Sequence, residues 1–145
     1  MGALLCDSGL APGFEYGCVP DAEVSGQVWG LLCGMYPQGS RLERRQEQRY
    51  PYPRLVWLTP VQADGRTPAG EMLTVAGKHL SETGLGFYHP EPLSYRLVIA
   101  SLEQGGGTLL HFLLDMNWCR FTRHGWYESG GRFLRAVSDP RKFAG

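Results

Sequence analysis

Six short apolar segments, separated by turn-forming residues, occupy the chain from residue 54 onward and constrain its fold more than any other feature. Asp64-Gly65 and the Gln104–Gly107 connection are typical turn sequences between neighbouring segments. Short apolar segments bounded by glycine and proline are typical of β-strands. We predict strands at Arg54–Val61, Gly70–Lys78, Gly84–His89, Leu93–Leu102, Thr108–Thr122 and His124–Val137.

The pattern within these segments indicates an all-β protein. In the fourth segment, Leu93, Tyr95, Leu97 and Ile99 recur at every second position, so we expect them to share one face of a strand. The sixth segment is interrupted at Gly130-Gly131, where a bulge or a close backbone approach is expected. The 20 glycines and 10 prolines favour a turn-rich fold. Six short strands of this kind predict a small antiparallel barrel or sandwich.

Residues 1–40 are predicted to form an irregular leader to a domain at residues 41–140. Glycine, proline and small residues interrupt every periodic pattern in the leader. Gln27–Tyr36 has the composition of a short helix or strand, but we favour the irregular interpretation. Residues 41–49 are expected to form a charged linker, because Pro51 and Pro53 stop any helix there. Ser138–Gly145 has room for one terminal helical turn.

The charge distribution argues against a general DNA-binding domain. The net charge is zero, yet residues 1–40 contain no Lys or Arg, and residues 41–145 carry all 14 basic residues against ten acidic ones. General DNA-binding domains have a much stronger basic excess, so we expect no DNA partner. A local anion-binding site is compatible with this distribution.

Neither a membrane span nor a disulfide framework is expected. Val28–Tyr36 is apolar, but it is only nine residues long and holds two glycines. The N-terminus lacks the basic region of a signal peptide. Cys6, Cys18, Cys33 and Cys119 have neither C-x-x-C nor zinc-like spacing. We therefore expect a cytoplasmic protein with free thiols, without a bound metal and without membrane insertion.

The sequence contains no recognisable catalytic pattern. It has no paired-carboxylate motif, nucleophile elbow, P-loop or metal cluster, so we expect a binding protein rather than an enzyme, with no cofactor. The enzymatic alternative is a small β-barrel reductase holding a flavin, which predicts a yellow protein and has little support. Trp57, Trp118, Trp126 and Phe133 are expected to pack in the core rather than to form ligand platforms.

Two polar stretches contain the candidate binding residues. The first begins at Arg44, directly before the first predicted strand, and places Arg45 four residues before Arg49. The planar fork of an arginine makes paired hydrogen bonds to phosphate oxygens or to guanine O6 and N7. A solvated linker whose arginines pair with neighbouring glutamates is the alternative. The second stretch is His79–Gly84, at the predicted turn between the second and third strands.

Together, these stretches resemble the motifs of the PilZ domain family. The family has R-x-x-x-R on the segment that enters the domain and [D/N]-x-S-x-x-G between the second and third strands. The segment at residues 130–133 adds a glycine-aromatic ending, and the resemblance covers about residues 42–137. PilZ domains are six-stranded Greek-key β-barrels that bind the bacterial second messenger cyclic di-GMP. The resemblance implies a bacterial receptor that changes conformation on ligand binding and regulates a partner protein.

The resemblance also implies which residues contact the ligand. They are Arg44, Arg45, Arg49, His79, Ser81 and Gly84. Ser81 would offer a hydroxyl, and Gly84 would permit a backbone conformation closed to other residues together with close approach of the ligand. Arg44 occupies the position that bears on whether one ligand molecule or a stacked pair binds.

One position departs from the family pattern. His79 stands where the family has an Asp or Asn that contacts a guanine. A histidine hydrogen-bonds through its ring nitrogens and cannot offer a carboxylate to the guanine edge. The alternative function is therefore a PilZ-like protein-interaction module that does not bind nucleotide.

Overall fold

The computed structural model describes residues 22–35, 49–105 and 107–139 of the chain. These residues form one helix, α1, at Ala22–Met35 and seven strands. The strands are β1 Tyr50–Pro51, β2 Leu55–Pro60, β3 Leu73–Leu80, β4 Gly84–His89, β5 Leu97–Gly105, β6 Thr108–Phe121 and β7 Tyr127–Ala136.

Six of the strands close into an antiparallel barrel. Their neighbour order is β3-β2-β5-β6-β7-β4, and β4 pairs back with β3. Within these six strands, consecutive strands are neighbours except for β4 and β5, which the segment at residues 90–96 connects. The two-residue strand β1 pairs with the end of β3. The predicted six-stranded antiparallel barrel is confirmed, and the closed pairing distinguishes it from a sandwich.

The fourth predicted strand, Leu93–Leu102, is displaced along the chain and is observed at Leu97–Gly105. It begins at Leu97 rather than at Leu93, because the preceding residues form the connection between two strands that are not neighbours. Leu93 and Tyr95 pack against the main core, whereas Leu97 and Ile99 lie in a second apolar cluster. The expected common face is therefore divided between two apolar clusters.

The sixth predicted strand begins at Tyr127, since the residues before it form a tight turn. Within the turn, the Gly125 amide donates to the Thr122 carbonyl, and Gly125 has a φ of 83°. Such positive φ values favour glycine. The expected close approach at Gly130-Gly131 is confirmed, because a Cβ at Gly131 would collide with the Asp115 carbonyl oxygen of β6.

The main core fills the barrel and extends beneath α1. The fully buried aromatic residues Tyr52, Phe87, Phe112 and Phe133 belong to this core. Phe112 and Phe133 are in contact, with ring centroids 4.9 Å apart. This confirms the core position predicted for Phe133.

Part of the expected irregular leader is helical. In α1, Val24, Val28, Leu31 and Leu32 recur at helical spacing and are buried in the main core. This packing stabilises a segment whose glycines disfavour an isolated helix. The irregular interpretation is wrong over Ala22–Met35, and residues 1–21 lie outside the described part of the chain.

Two further features concern the chain ends and the membrane. Ser138 and Asp139 are irregular, and residues 140–145, which complete the expected terminal helical turn, lie outside the described residues.

Within the described ranges, no helix has both the length and the apolar character needed to cross a membrane.

Replacing Leu32 with alanine is expected to lower the free energy of unfolding by about 2–5 kcal/mol, because it opens a cavity where α1 meets the barrel. Urea unfolding followed by circular dichroism measures this loss. Cys33→Ala, at an exposed position of the same helix, is the control and should change stability little. Equal stability of the two variants would contradict the packing of α1 on the core.

Candidate functional site

The candidate site is formed where β1 meets the end of β3. Tyr50 pairs with Leu80 and Pro51 pairs with His79, so β1 brings the preceding residue, Arg49, to the beginning of the second motif. The positive charge of Arg49 lowers the pKa of the His79 ring, so the two side chains lie close enough to interact electrostatically. The structure thus brings together residues that are 30 positions apart in sequence. Arg44 and Arg45 lie outside the described residues.

Ser81 shapes the turn between β3 and β4. Its buried hydroxyl oxygen accepts hydrogen bonds from the backbone amides of Thr83 and Gly84, both at 3.1 Å. The Ser81 amide donates in turn to the Gly84 carbonyl at 2.9 Å. A serine side chain that binds amides two and three residues ahead fixes a tight turn. In the described structure, the serine of the second motif therefore organises the backbone of the site.

A glycine is required at position 84 because two strands lie close together there, not because of the unusual backbone conformation that we expected. Positive φ values occur at three of the described glycines, Gly65, Gly107 and Gly125, and Gly84 is not among them. Instead, a Cβ at Gly84 would collide with the carbonyl oxygen of Gly131 on β7. The expectation of an unusual backbone conformation at Gly84 is wrong, because the constraint is the close contact between β4 and β7.

A pair of glycines forms the floor of the site. Gly86 of β4 lies opposite both His79 of β3 and Gly130 of β7, and Gly130 lies opposite Trp118 of β6. A Cβ on Gly86 would come within 2.5 Å of the His79 ring, and a Cβ on Gly130 would come within 2.6 Å of the Trp118 ring. Both rings therefore lie against bare backbone on the outer face of the barrel.

This floor was not predicted as part of the site. Trp118 was expected in the core, but it is only partly buried and lies on the outer face. The closely spaced glycines, Gly84 with Gly86 and Gly130 with Gly131, were the available signal. Their mutual alignment depends on the register between β4 and β7, which the sequence pattern does not specify.

A buried carboxylate lies further along the same face. Tyr88 and Glu128 are register partners, as are Arg120 and Glu128. One Glu128 oxygen accepts a hydrogen bond from Lys78 at 2.5 Å, and the other accepts from the Arg120 guanidinium at 2.9 Å. Burial alone would raise the pKa of Glu128, but its two cationic partners outweigh burial and lower it. The cluster is therefore ionised at neutral pH.

The outer part of the site is electropositive. Burial lowers the pKa of His79, and the charges of Arg49 and Lys78 lower it further. The ring is consequently neutral at pH 7, with one nitrogen able to donate and the other able to accept a hydrogen bond. Within the described ranges, no group of three His, Cys, Asp or Glu residues is arranged to hold a metal ion.

Helix α1 contacts both segments of the site. The Ser25 hydroxyl donates a hydrogen bond of 2.6 Å to Glu82, which lies between Ser81 and Gly84 in the turn. Trp29 packs edge-on against Tyr50, with ring centroids 5.7 Å apart. One helix therefore reaches both the strand that follows Arg49 and the turn that carries the second motif.

The chain is similar to several solved structures, among them those of two bacterial proteins. No protein-family model and no curated protein matches the chain. The chain is similar to the Bacillus subtilis inhibitor of motility, MotI/DgrA, with a TM-score of 0.49 and 14% identity. It is also similar to MrkH of K. pneumonia in its apo state, with a TM-score of 0.45 and 12% identity. Each match covers 70% of this chain and 48% of the other, so the chain spans about half the length of these structures.

The lowered pKa of His79 predicts that stability falls on mild acidification. In the folded state the ring binds a proton less readily than in the unfolded state, whose histidines titrate near pH 6.5. The free energy of unfolding should therefore be constant above about pH 6.5 and decrease as the pH falls towards 5. Burial also lowers the pKa of His89, which therefore adds to the same loss of stability at low pH.

Chemical denaturation between pH 5 and 8 measures this dependence. His79→Asn is expected to reduce the loss of stability on acidification, with His89 responsible for part of the remainder. The control is His124→Asn, since His124 is exposed in the β6–β7 turn, and it should retain the dependence of the unmodified protein. If the free energy of unfolding of His79→Asn depends on pH as strongly as that of the unmodified protein, His79 is not held neutral in the folded state.

Proposed function

We propose that this protein is a PilZ-like receptor that binds cyclic di-GMP at the junction of β1, β3 and β4. The observation that carries the proposal is the position of Arg49 beside His79, at the start of the turn formed by Ser81 and Gly84. Arg49, the last residue of the first motif, thus lies next to the second motif. The ligand would lie on the outer face, over the His79 and Trp118 rings that cover Gly86 and Gly130.

The charge and shape of this face suit an anionic, planar ligand. Cyclic di-GMP carries two phosphates and two guanines, and arginine forms paired hydrogen bonds with either group. Arg49 is exposed beside the site, and Arg45 precedes it by four residues. The His79 and Trp118 rings cover the buried glycines Gly86 and Gly130 and are themselves partly exposed, so each ring offers a flat surface to a guanine base. Each paired arginine contact contributes about 1–3 kcal/mol.

The motif residues would have different roles in binding. Arg44, Arg45 and Arg49 would contact phosphates or guanines directly, whereas His79 would exchange a hydrogen bond with a guanine edge through its neutral ring. Ser81 would act mainly by fixing the turn, because two backbone amides already occupy its oxygen. Gly84 would act by allowing the close approach of β4 to β7.

Helix α1 would transmit ligand binding to a regulated protein. Ligand binding by the arginine segment would act on β1 and on the turn, and α1 contacts these two elements through Trp29 and Ser25, respectively. A ligand shifts a conformational equilibrium only when it binds one state more tightly than the other. The proposed two states differ in how α1 and the preceding residues lie against the site.

The alternative function is a protein-interaction module of the same fold that does not bind nucleotide. His79 favours this alternative, since it replaces the expected Asp or Asn. The alternative predicts no ligand-induced increase in the melting temperature and, in pull-down experiments, a stable protein partner.

The double variant Arg45→Ala/Arg49→Ala is expected to bind cyclic di-GMP at least tenfold more weakly than the unmodified chain, because it lacks two paired contacts. Equilibrium dialysis with labelled ligand measures the dissociation constant. Arg66→Ala is the matched control, since Arg66 is exposed in the β2–β3 loop, at the opposite end of β3 from His79. Unchanged affinity in the double variant, with an intact melting curve, would sink the proposal.

Ligand binding is also expected to change backbone amide hydrogen exchange in Ala22–Met35, measured by mass spectrometry with and without cyclic di-GMP. Glu82→Ala should reduce that change, because it removes the hydrogen bond to Ser25. Glu71→Ala, at an exposed loop position, should leave it intact. Identical exchange in α1 with and without bound ligand would rule out transmission through the helix while leaving the binding proposal standing.

A further inference from the structure

A second feature of the outer face is a groove at the end of the barrel where β6 and β7 join. Its volume is about 670 Å³, within the usual range for ligand and peptide pockets. Its aromatic residues are Tyr88, Phe121 and Trp126, and its cationic residues are Lys78, Arg120 and Arg123. We call it the aromatic–cationic groove. Apart from Lys78, which adjoins His79, these residues are separate from those assigned to cyclic di-GMP.

The aromatic residues of the groove are unusually exposed. Phe121 is 63% exposed and Trp126 is 45% exposed, which makes them two of the four exposed large apolar side chains among the described residues. The sequence pattern had placed Trp126 in the core, and this expectation is wrong because Trp126 precedes β7 in an exposed turn. Neighbouring exposed aromatic residues are typical of protein-binding surfaces.

The groove is held in shape before any partner binds. Thr122 fixes the turn below Trp126, since its amide and its hydroxyl both donate to the Trp126 carbonyl, at 2.8 and 2.9 Å. The Phe121 ring packs edge-on against Tyr127, with centroids 5.0 Å apart. Such preorganisation reduces the conformational entropy lost on binding.

The charge of the groove is positive. Glu128 balances one of the three cations, and it is buried between Lys78 and Arg120. The Arg120 side chain remains 67% exposed while it holds Glu128, and Arg123 is exposed in the adjacent turn. The buried carboxylate thus fixes two cations in place, and the groove keeps a net positive charge for an incoming partner.

We propose that the aromatic–cationic groove docks an acidic peptide segment of a partner protein, with an apolar or aromatic side chain of that segment packed between Phe121 and Trp126. Charge complementarity selects this occupant. A second copy of the chain docked groove to groove would place like charges against each other. A nucleic acid is disfavoured, since the whole chain has no net positive charge.

Selection from a phage-displayed library of random twelve-residue peptides, on the full chain and without nucleotide, tests this proposal. The expected result is enrichment of peptides that carry Asp or Glu together with Trp, Phe or Leu. Synthetic versions of these peptides should bind the Arg123→Glu/Trp126→Ala variant at least tenfold more weakly than the unmodified chain. Their affinity should also fall as the salt concentration rises.

The matched control is Leu55→Ala/Arg66→Glu, which makes the same two kinds of change at exposed positions away from the groove and should bind the peptides normally. Enrichment of basic or uncharged peptides, the absence of enrichment, or equal binding by the groove variant would overturn the proposal. The salt dependence provides a second readout should the groove variant be poorly folded. Because nucleotide is absent throughout, the outcome is independent of cyclic di-GMP binding.

Discussion

The pairing of β4 with β7 is one of the two that join strands β2–β4 to strands β5–β7 in the barrel, and the rest of the structure depends on it. Gly84 is required at this pairing, because a Cβ there would collide with the Gly131 carbonyl oxygen of β7. Gly131 is required in turn where β7 lies against β6, because its Cβ would collide with the Asp115 carbonyl oxygen. The same pairing aligns Gly86 with Gly130, which lie beneath the His79 and Trp118 rings of the outer face. A constraint of barrel closure thereby also shapes the proposed ligand site.

The outer face combines two chemically different regions on neighbouring strands. At one end, the cationic Arg49 lies beside the neutral His79 ring, which covers the glycine floor. At the other end, buried Glu128 fixes Lys78 and Arg120 beside exposed aromatic residues. Lys78 lies between the two regions, directly before His79 in β3.

The sequence predicted the barrel because its strands carry strong local signals. Alternating apolar residues and glycine-rich turns define the strands, and burial of one face requires a closed or layered sheet. Helix α1 was missed because Gly26, Gly30 and Gly34 lower its helix propensity. All three are exposed, and the helix is stabilised from the opposite face by contacts with the barrel.

The site was predictable only in part. The two motifs identified Arg49 and His79 as candidates, but their adjacency depends on β1, a two-residue strand that prolines make unrecognisable in sequence. The function of Ser81 in fixing the turn and the contact of Gly84 with β7 depend on hydrogen bonds and register that no local pattern encodes. Trp118 and Trp126 were assigned to the core on composition, although the outer face of a small barrel also carries large aromatic residues.

Isothermal titration of the unmodified chain with cyclic di-GMP, with GTP as the control ligand, tests the central claim most directly. The account predicts saturable binding in the micromolar range or tighter, selective for the cyclic dinucleotide, and the titration also gives the number of ligand molecules bound. No heat of binding across a wide concentration range would contradict the claim. The titration would then be repeated with the His79→Asp variant. The protein-interaction module would become the better description of the function.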